Sequence, residues 1–327
     1  MASEEYQDIV ESDFTNGLII FGNFLPEEVM SNILHCLSWD DLLNFRLVCH
    51  SWKRLIDSFV SYKKIRECKS YKACFAFNVK GFNPESLPFY LYYAIGKNAF
   101  GSNHLKNAFG SGEIPHVCQP PRRSFGRRRA QDLRMCSDVN CPRFKHWSVL
   151  SSQGDGWTVE MVPQGSQPLP EHLEGSSCFV TSYGLCSKQQ IIKLSECGLS
   201  SKIMDEIQPH IDISEWYARR FDCGSIYRLK VSLLDINKEV VDQFNEEIVE
   251  NHWDDDWHQV SHTFRNYGPD VRFLLFHHEG IDTQFWAGYY GSKMAGGSVI
   301  ARIPEDILQL DDEPCQLFLL DTLDTRV

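Results

Sequence analysis

Four aromatic side chains lie close together in the segment Asp282–Gly291, namely Phe285, Trp286, Tyr289 and Tyr290. Aromatic rings bury about 150–250 Å² each with little loss of conformational freedom, so they serve both cores and binding surfaces. Glycines before, within and after the group indicate a loop tip. A sugar ring has apolar C–H faces that stack on aromatic planes, and hydroxyls that need hydrogen-bond partners. The segment therefore predicts a ligand-binding loop.

A sugar site also needs a carboxylate, which would have to come from another part of the fold. Asp222, in the turn Arg219–Gly224, and Tyr183, in the segment Thr181–Cys186, have suitable chemistry. Sequence spacing does not show whether the fold brings them to the aromatic segment. Both are candidate site residues whose positions depend on tertiary structure.

Two groups of residues have the chemistry of metal ligands. Cys118 precedes Cys136, Cys141 and His146, which are separated from one another by four residues each. Structural zinc sites usually use tighter pairs such as C-x2-C, so free cysteines are the favoured interpretation. In His277–Glu279 the adjacent histidines of a strand would point to opposite faces. We expect no metal and no cofactor.

Catalytic patterns are also weak. The run Asp254–Asp256, between Trp253 and Trp257, supplies carboxylates, but glycosidases need two carboxyl groups facing each other about 5–10 Å apart across a substrate. Consecutive residues do not provide that arrangement. The sequence shows no phosphate-cradling glycine loop, no serine-nucleophile elbow and no Cys–His protease signature. We expect a protein that is not an enzyme.

The net charge argues against a general nucleic-acid binder. It is −12 over 327 residues, whereas phosphate contacts need positive charge. One basic cluster, Arg122–Arg134, lies in a proline- and glycine-containing stretch at about 113–143. Such a cluster could contact RNA or serve as a nuclear address, and a surface insertion of little apolar content is the favoured interpretation.

The twelve cysteines are scattered, as expected for buried thiols in a reducing compartment. The first twenty residues are acidic where a signal peptide is basic, and no apolar run reaches the roughly 18 residues that cross a membrane. These features predict a cytoplasmic protein without a membrane span.

The N-terminal part has helical signals. Leu25-Pro26 followed by two glutamates is typical of a helix start, and Ser38 with Asp41 forms a cap-and-carboxylate pair that begins a second helix. Apolar residues at helical spacing continue to Ile56. The pattern predicts a helical module of about 45 residues, too small to bury all of this apolar surface by itself.

The segment Leu25–Ile56 resembles an F-box in its Leu-Pro start, its paired leucines after an acidic turn, and its final Val48-Cys49-x-x-Trp52. This resemblance implies docking onto the Skp adaptor of a cullin-RING ubiquitin ligase. An ordinary three-helix core would show the same hydrophobic spacing. The contacts that the resemblance implies are Leu25, Pro26, Ile33, Leu34 and Leu37.

Beyond residue 140 the pattern changes to strands. Apolar and polar residues alternate in Tyr227–Leu233, His258–Phe264 and Val271–Leu275, with turn signals between them. We expect a multidomain chain in which an all-α module precedes an all-β antiparallel sandwich. The predicted divisions are an acidic lead at 1–20, the helical module at 21–66, a linker at 67–88, the sandwich at 89–304 and an acidic tail at 305–327.

The second part resembles the F-box-associated domain of F-box-only proteins that recognise N-glycans, a galactose-binding-like jelly roll. The matching motifs occur in order: Gly154–Trp157, Cys186–Leu194, Glu215–Leu234, Ser261–Phe273 and Asp282–Gly291. In the sugar-binding members the inner chitobiose of a high-mannose glycan is held by an aromatic, an acid and an aromatic–tryptophan pair. By position these residues are Tyr183, Asp222, Phe285 and Trp286.

One motif departs from the family. Sugar binders have tyrosine, tryptophan and lysine where this chain has Phe285, Trp286 and Ala287, so a hydroxyl and an ammonium donor are missing. The resemblance implies a substrate-recognition subunit of a Skp–cullin–F-box (SCF) ubiquitin ligase that recruits client proteins, including misfolded N-glycosylated ones. The alternative is a binding module of the same fold that recognises protein surfaces and not glycans.

Overall fold

The computed structural model describes residues 17–68, 87–111, 135–136, 139–173, 177–250 and 255–304. The predicted basic cluster Arg122–Arg134 and acidic tail 305–327, together with Cys118 and Asp254, lie outside these ranges, as do most of the predicted lead and linker. The chain divides into two compact units. The helical unit is 1–102, 195–209 and 301–327, and the sandwich unit is 103–194 and 210–300.

The helical unit begins with a two-stranded hairpin, which leads into short helices. The strands are β1 (Ile19–Ile20) and β2 (Asn23–Phe24). The helices are α1 (Glu27–His35), α2 (Trp39–Phe45), α3 (His50–Leu55), α4 (Ser61–Ile65) and α5 (Phe89–Gly96), with π-helical turns at Ile56–Val60 and Ile203–Ile207 and a 3-10 turn at Leu194–Cys197.

The predicted cap of α2 is confirmed. The Asp41 backbone N–H donates to Ser38 Oγ at 3.1 Å, and the Ser38 backbone N–H donates to the Asp41 carboxylate at 3.4 Å. These two bonds satisfy groups that a helix end leaves unpaired. Helices α1, α2 and α3 bury Leu34, Leu42 and Leu55 respectively, and α5 belongs to the same unit, where the Arg46 guanidinium lies 4.1 Å from the Phe89 ring centroid.

The sandwich unit consists of two antiparallel sheets. The strands are β3 (Met135–Cys136), β4 (Ser148–Ser152), β5 (Thr158–Glu160), β6 (Cys178–Val180), β7 (Cys186–Lys193), β8 (His210–Ala218), β9 (Ser225–Leu234), β10 (Val240–Glu250), β11 (His258–Phe264), β12 (Phe273–Asp282) and β13 (Lys293–Arg302). The five-stranded sheet has the order β10-β9-β12-β7-β4 and the six-stranded sheet the order β11-β8-β13-β6-β5-β3. This architecture confirms the fold class predicted from the sequence.

The core of the sandwich unit contains ionisable groups as well as apolar ones. Strand β12 alternates between half-buried and buried residues, so His278 points into the core and its neighbour His277 to the other face. His278 stacks on Trp147 at 4.7 Å, and its Nδ1 lies 2.8 Å from both carboxylate oxygens of Glu215. The Tyr227 hydroxyl donates to the same carboxylate at 2.7 Å. Burial lowers the pKa of His278 to about 4.

A lysine lies in the same core. The Lys188 side chain is fully buried, with Nζ 3.4 Å from the Trp147 ring centroid and 3.5 Å from that of Phe179. Among the described residues, Nζ has no hydrogen-bond acceptor. Desolvation holds the pKa of Lys188 well below its usual range, and the Glu215 carboxylate opposes this shift. The aromatic faces stabilise whatever positive charge remains through cation–π contact.

We expect acid to destabilise the sandwich unit through His278. Between pH 6.5, the ordinary pKa of histidine, and about 4, the unfolded chain protonates this residue and the folded chain does not. The unfolded state then binds more protons, so the free energy of unfolding falls as pH falls through this window, by about 3 kcal/mol. Urea unfolding of the full chain at pH 7, 6, 5 and 4 measures this loss.

The matched variant for this prediction is His278→Gln. The glutamine amide still donates to Glu215 but does not titrate, so the variant should be less stable at pH 7 and should show a shallower decrease towards pH 5. Subtracting the two profiles removes the contribution of the carboxylates that both proteins share. If the free energy of unfolding falls equally with pH in the parent and the variant, the pH dependence does not come from His278.

Candidate functional site

Three loops of the sandwich unit meet at one end of the sheets, and we call them the loop face: 181–185, 219–224 and 282–291. Their backbones are joined by hydrogen bonds. The Asp282 N–H donates to the Ser182 carbonyl at 3.1 Å, the Thr283 N–H to the Gly224 carbonyl at 3.0 Å, and the Gly291 N–H to the Thr181 carbonyl at 3.0 Å. The segments that carry the four predicted glycan residues are therefore one connected structure.

The aromatic loop is held by a carboxylate at its start. Asp282 accepts hydrogen bonds from the backbone N–H groups of Gln284, Phe285 and Trp286, at 3.1, 2.6 and 3.2 Å. Phe285 has a φ of +57°, a left-handed conformation that a non-glycine residue adopts only when its surroundings impose it. Further along, the Gly288 N–H donates to the Asp155 carboxylate at 2.6 Å. The loop is thus preorganised without a ligand.

Two aromatic side chains of this loop face solvent. Phe285 is 77% exposed and Trp286 is 44% exposed. The Phe285 ring packs edge-on against Tyr183, with centroids 5.1 Å apart, and Trp286 packs edge-on against Tyr290 at 5.5 Å. These contacts hold each exposed ring in place while leaving a face open. Ordered, exposed rings have lost their conformational freedom before a ligand arrives, which lowers the cost of binding.

The predicted acid, Asp222, lies in an ion pair beside the rings. Arg220 donates to its two carboxylate oxygens at 2.9 and 3.2 Å, and the same guanidinium lies 4.4 Å from the Tyr290 ring centroid. The hydrogen bonds from Arg220 lower the pKa of Asp222. The carboxylate is therefore ionised at neutral pH, and each oxygen keeps a lone pair that could accept a ligand hydroxyl.

A buried ion pair supports the Arg220–Asp222 loop from below. Lys293 Nζ donates to the Glu160 carboxylate at 2.7 Å, and both side chains are buried. The same Glu160 oxygen accepts from the Gln164 N–H at 2.8 Å, and the Gly165 carbonyl accepts from the Phe221 N–H at 2.7 Å. A continuous set of hydrogen bonds thus runs from the core to the loop face.

All four predicted glycan residues, Tyr183, Asp222, Phe285 and Trp286, lie on the loop face. Sequence reasoning missed the residues that position them, chiefly Asp282 and Arg220. Asp282 had a readable signal, because an aspartate that starts a loop often accepts bonds from the following backbone N–H groups. Arg220 had none, since its partners are defined only by the fold.

The other chemical candidates do not form a site in the described part of the chain. Cys141 is buried and accepts from the Arg143 N–H, whereas His146 is exposed. The Asp255 carboxylate and backbone carbonyl both accept from Gln167. Within the described ranges, which exclude Cys118 and Asp254, no cluster of three metal-ligating side chains occurs. None of the described helices has the length and apolar character needed to cross a bilayer.

The helical unit exposes a second candidate surface. Of the predicted adaptor contacts, Pro26 is exposed, Ile33 is 49% exposed, and Leu25 and Leu37 are half-buried. Leu34, the fifth predicted contact, is only 1% exposed and is buried in the helical unit. Almost half of the exposed large apolar side chains among the described residues lie between positions 19 and 59. They include, besides Ile33, the unpredicted Val29, Leu43, Leu47 and Val48.

A small helical module with an apolar exposed face, joined to a β-sandwich whose loops present ordered rings, is typical of a protein with two separate binding surfaces. Residues 23–67 match the family model described as F-box-like, and residues 96–301 match the model described as F-box associated region. The chain belongs to the F-box-only proteins that carry an F-box associated region.

Two F-box only proteins that match most of the chain agree with this assignment. The chain is 32% identical over 282 residues to F-box only protein 6 of Rattus norvegicus, covering 85% of this chain and 86% of that protein. It is 30% identical over 285 residues to F-box only protein 44 of Homo sapiens, covering 86% and 97%. A solved structure of an apo form cyclase from Fischerella sp. has 12% identity and a TM-score of 0.37, covering 62% of this chain and 96% of that one. The family relationship supports a substrate-recognition role in an SCF ubiquitin ligase.

Proposed function

We propose that this chain recruits N-glycosylated client proteins to an SCF ubiquitin ligase in the cytoplasm, holding the glycan core at the loop face. The observation that carries this proposal is the arrangement of Tyr183, Phe285 and Trp286 as ordered rings beside the ionised Asp222. Aromatic planes suit the apolar faces of N-acetylglucosamine, and a carboxylate suits its hydroxyls.

The chemistry of the loop also indicates weak binding. Phe285 has no hydroxyl and Ala287 no ammonium, so a bound sugar would lack the two polar contacts that the resemblance to sugar-binding F-box-associated domains implies. Each missing contact costs about 0.5–1.5 kcal/mol, and more where the donor is charged. In this proposal stacking and the Asp222 carboxylate supply most of the affinity, and a client with several glycans would be favoured through avidity.

Recruitment needs no catalytic residue on this chain. Holding a client lysine near a charged ubiquitin-conjugating enzyme raises its effective concentration and avoids a bimolecular encounter. The F-box helices would dock the Skp adaptor, and through it the cullin scaffold, while the sandwich unit holds the client. The family relationship fits this division of labour.

A second candidate function is recognition of a protein surface by the same loops. It is favoured by the Arg220–Asp222 ion pair, which already uses one lone pair of each carboxylate oxygen, and by the apolar character of Phe285 and Ala287. An apolar, rigid patch with a paired arginine resembles the centre of a protein interface. The two functions differ in whether the isolated sugar binds.

Titration of the full chain with chitobiose by calorimetry or NMR tests the proposal. We expect saturable binding, with shifts confined to the loop face, and we expect none with lactose, which lacks the N-acetyl groups. N-glycosylated ribonuclease should be captured and its unglycosylated form should not. Absence of binding at millimolar chitobiose, with equal capture of both ribonuclease forms or of neither, would favour the protein-surface function.

A further inference from the structure

A short hairpin precedes the F-box helices and is fixed to them. Ile19 pairs with Phe24 across its two strands. The Leu25 N–H donates to the Leu18 carbonyl at 2.8 Å, and the Trp52 indole N–H donates to the Gly17 carbonyl at 2.7 Å. Leu18 is buried. The segment 17–24, which we call the N-terminal hairpin, is therefore a rigid extension of the helical unit.

The turn of this hairpin contains a phenylalanine, Phe21, although its backbone conformation and its exposure to water both disfavour a bulky apolar residue. Phe21 and Gly22 are the two central residues, with φ values of +50° and +78°. A two-residue turn with positive φ at both positions prefers Asn-Gly or Asp-Gly, because a bulky side chain in the left-handed region is strained. Phe21 is nevertheless fully exposed. Violations of local rules concentrate at functional positions.

The exposed apolar surface of the hairpin is larger than this one ring. Ile19 and Phe24 are also more than half exposed, whereas Leu18 faces inward. Two phenylalanine rings offer about 300–500 Å² of apolar area to a partner. The chain passes directly from Phe24 into Leu25-Pro26, and the next helix exposes Val29 and Ile33.

We propose that the N-terminal hairpin is part of the adaptor-docking surface, with Phe21 and Phe24 inserting into an apolar region of the Skp adaptor. The inference rests on the proposed docking of the F-box helices to that adaptor. It adds contacts before residues 25–56, and Phe21 also lies outside the matched F-box-like region 23–67. The hairpin is hydrogen-bonded to Leu25 and Trp52 of the segment that would dock, so it forms one rigid body with the helices. A partner that binds Pro26 and Ile33 would therefore also contact the neighbouring hairpin.

The test is calorimetric binding of the full chain to the purified Skp adaptor, using Phe21→Asn. This change removes the ring and supplies the Asn-Gly pair that the turn prefers, so the hairpin should be retained or strengthened. We expect binding to weaken at least about tenfold, the factor that follows from losing the burial of one large apolar side chain. Phe24→Ser should have an effect of similar size.

Two controls separate this inference from the proposed function. Ile33→Asp places a charge on the face of α1 and should abolish binding. Ile236→Asn changes another exposed apolar residue, in the turn between β9 and β10 of the sandwich unit, and should leave affinity unchanged. If Ile33→Asp abolishes binding while Phe21→Asn and Phe24→Ser match the parent, the hairpin inference is overturned and the docking of the helices stands.

Two other outcomes would also overturn the inference. If the parent chain does not bind the adaptor, the docking function fails together with the hairpin contact. If the parent is a dimer that Phe21→Asn converts to a monomer without weakening adaptor binding, the hairpin is a contact between copies of this chain. Sedimentation of each variant, alone and with the adaptor, distinguishes these results.

Discussion

Trp286→Ala is expected to weaken chitobiose binding at least about 30-fold, a loss of about 2 kcal/mol. Trp286 is the larger of the two solvent-facing rings of the aromatic loop, and Tyr290 and the loop backbone hold it in place. The substitution removes the stacking plane. It keeps the hydrogen bonds to Asp282, because their donors are backbone N–H groups. Calorimetric titration of the full chain measures the change.

Several variants make this result interpretable. Trp286→Phe keeps a smaller plane and should retain part of the affinity, whereas Phe59→Ala removes an exposed ring from the helical unit and should have no effect on sugar binding. Ala287→Lys introduces the ammonium donor that the resemblance to sugar-binding F-box-associated domains implies at this position, and it should strengthen binding by about 1.5–3 kcal/mol if the site is used as proposed. Equal affinities for the parent and Trp286→Ala would place the sugar elsewhere or show that it is not a ligand.

Lys293→Met is expected to lower the free energy of unfolding by about 3–5 kcal/mol. The Lys293 ammonium and the Glu160 carboxylate are both withdrawn from water, and each is the other's principal charge partner. Removing the lysine leaves a buried carboxylate without its counter-charge, which costs more than the pair contributes. Urea unfolding at neutral pH measures the loss.

The double variant Lys293→Met/Glu160→Gln is the control. It removes both charges and keeps an amide oxygen to accept the Gln164 N–H, so it should recover most of the stability that the single variant loses. Because Glu160 supports the segment next to Arg220, the single variant should also bind chitobiose more weakly than the parent. A single variant as stable as the parent would show that water or another group solvates Glu160.

The sequence alone determined what depends on local rules. Helix α2 begins at its predicted cap because Ser38 and Asp41 satisfy backbone groups within four residues of each other. Strand β12 alternates between core and surface because successive side chains of a strand point to opposite faces. The fold class and the family follow from several such local patterns in the correct order along the chain.

Only the tertiary structure decided which distant residues meet. Tyr183 contacts Phe285 and Arg220 contacts Tyr290 because antiparallel pairing brings the ends of strands far apart in the sequence to one edge of the sandwich. The local pattern also could not predict that Leu34 is buried while Ile33, its neighbour on the same helix, is exposed. Apolar spacing does not show which face of a helix a neighbouring element covers. Strand pairing and side-chain packing depend on contacts between distant segments, so no single segment determines them. The local pattern therefore predicted the kinds of residues a binding loop would use, and the fold alone determined their partners.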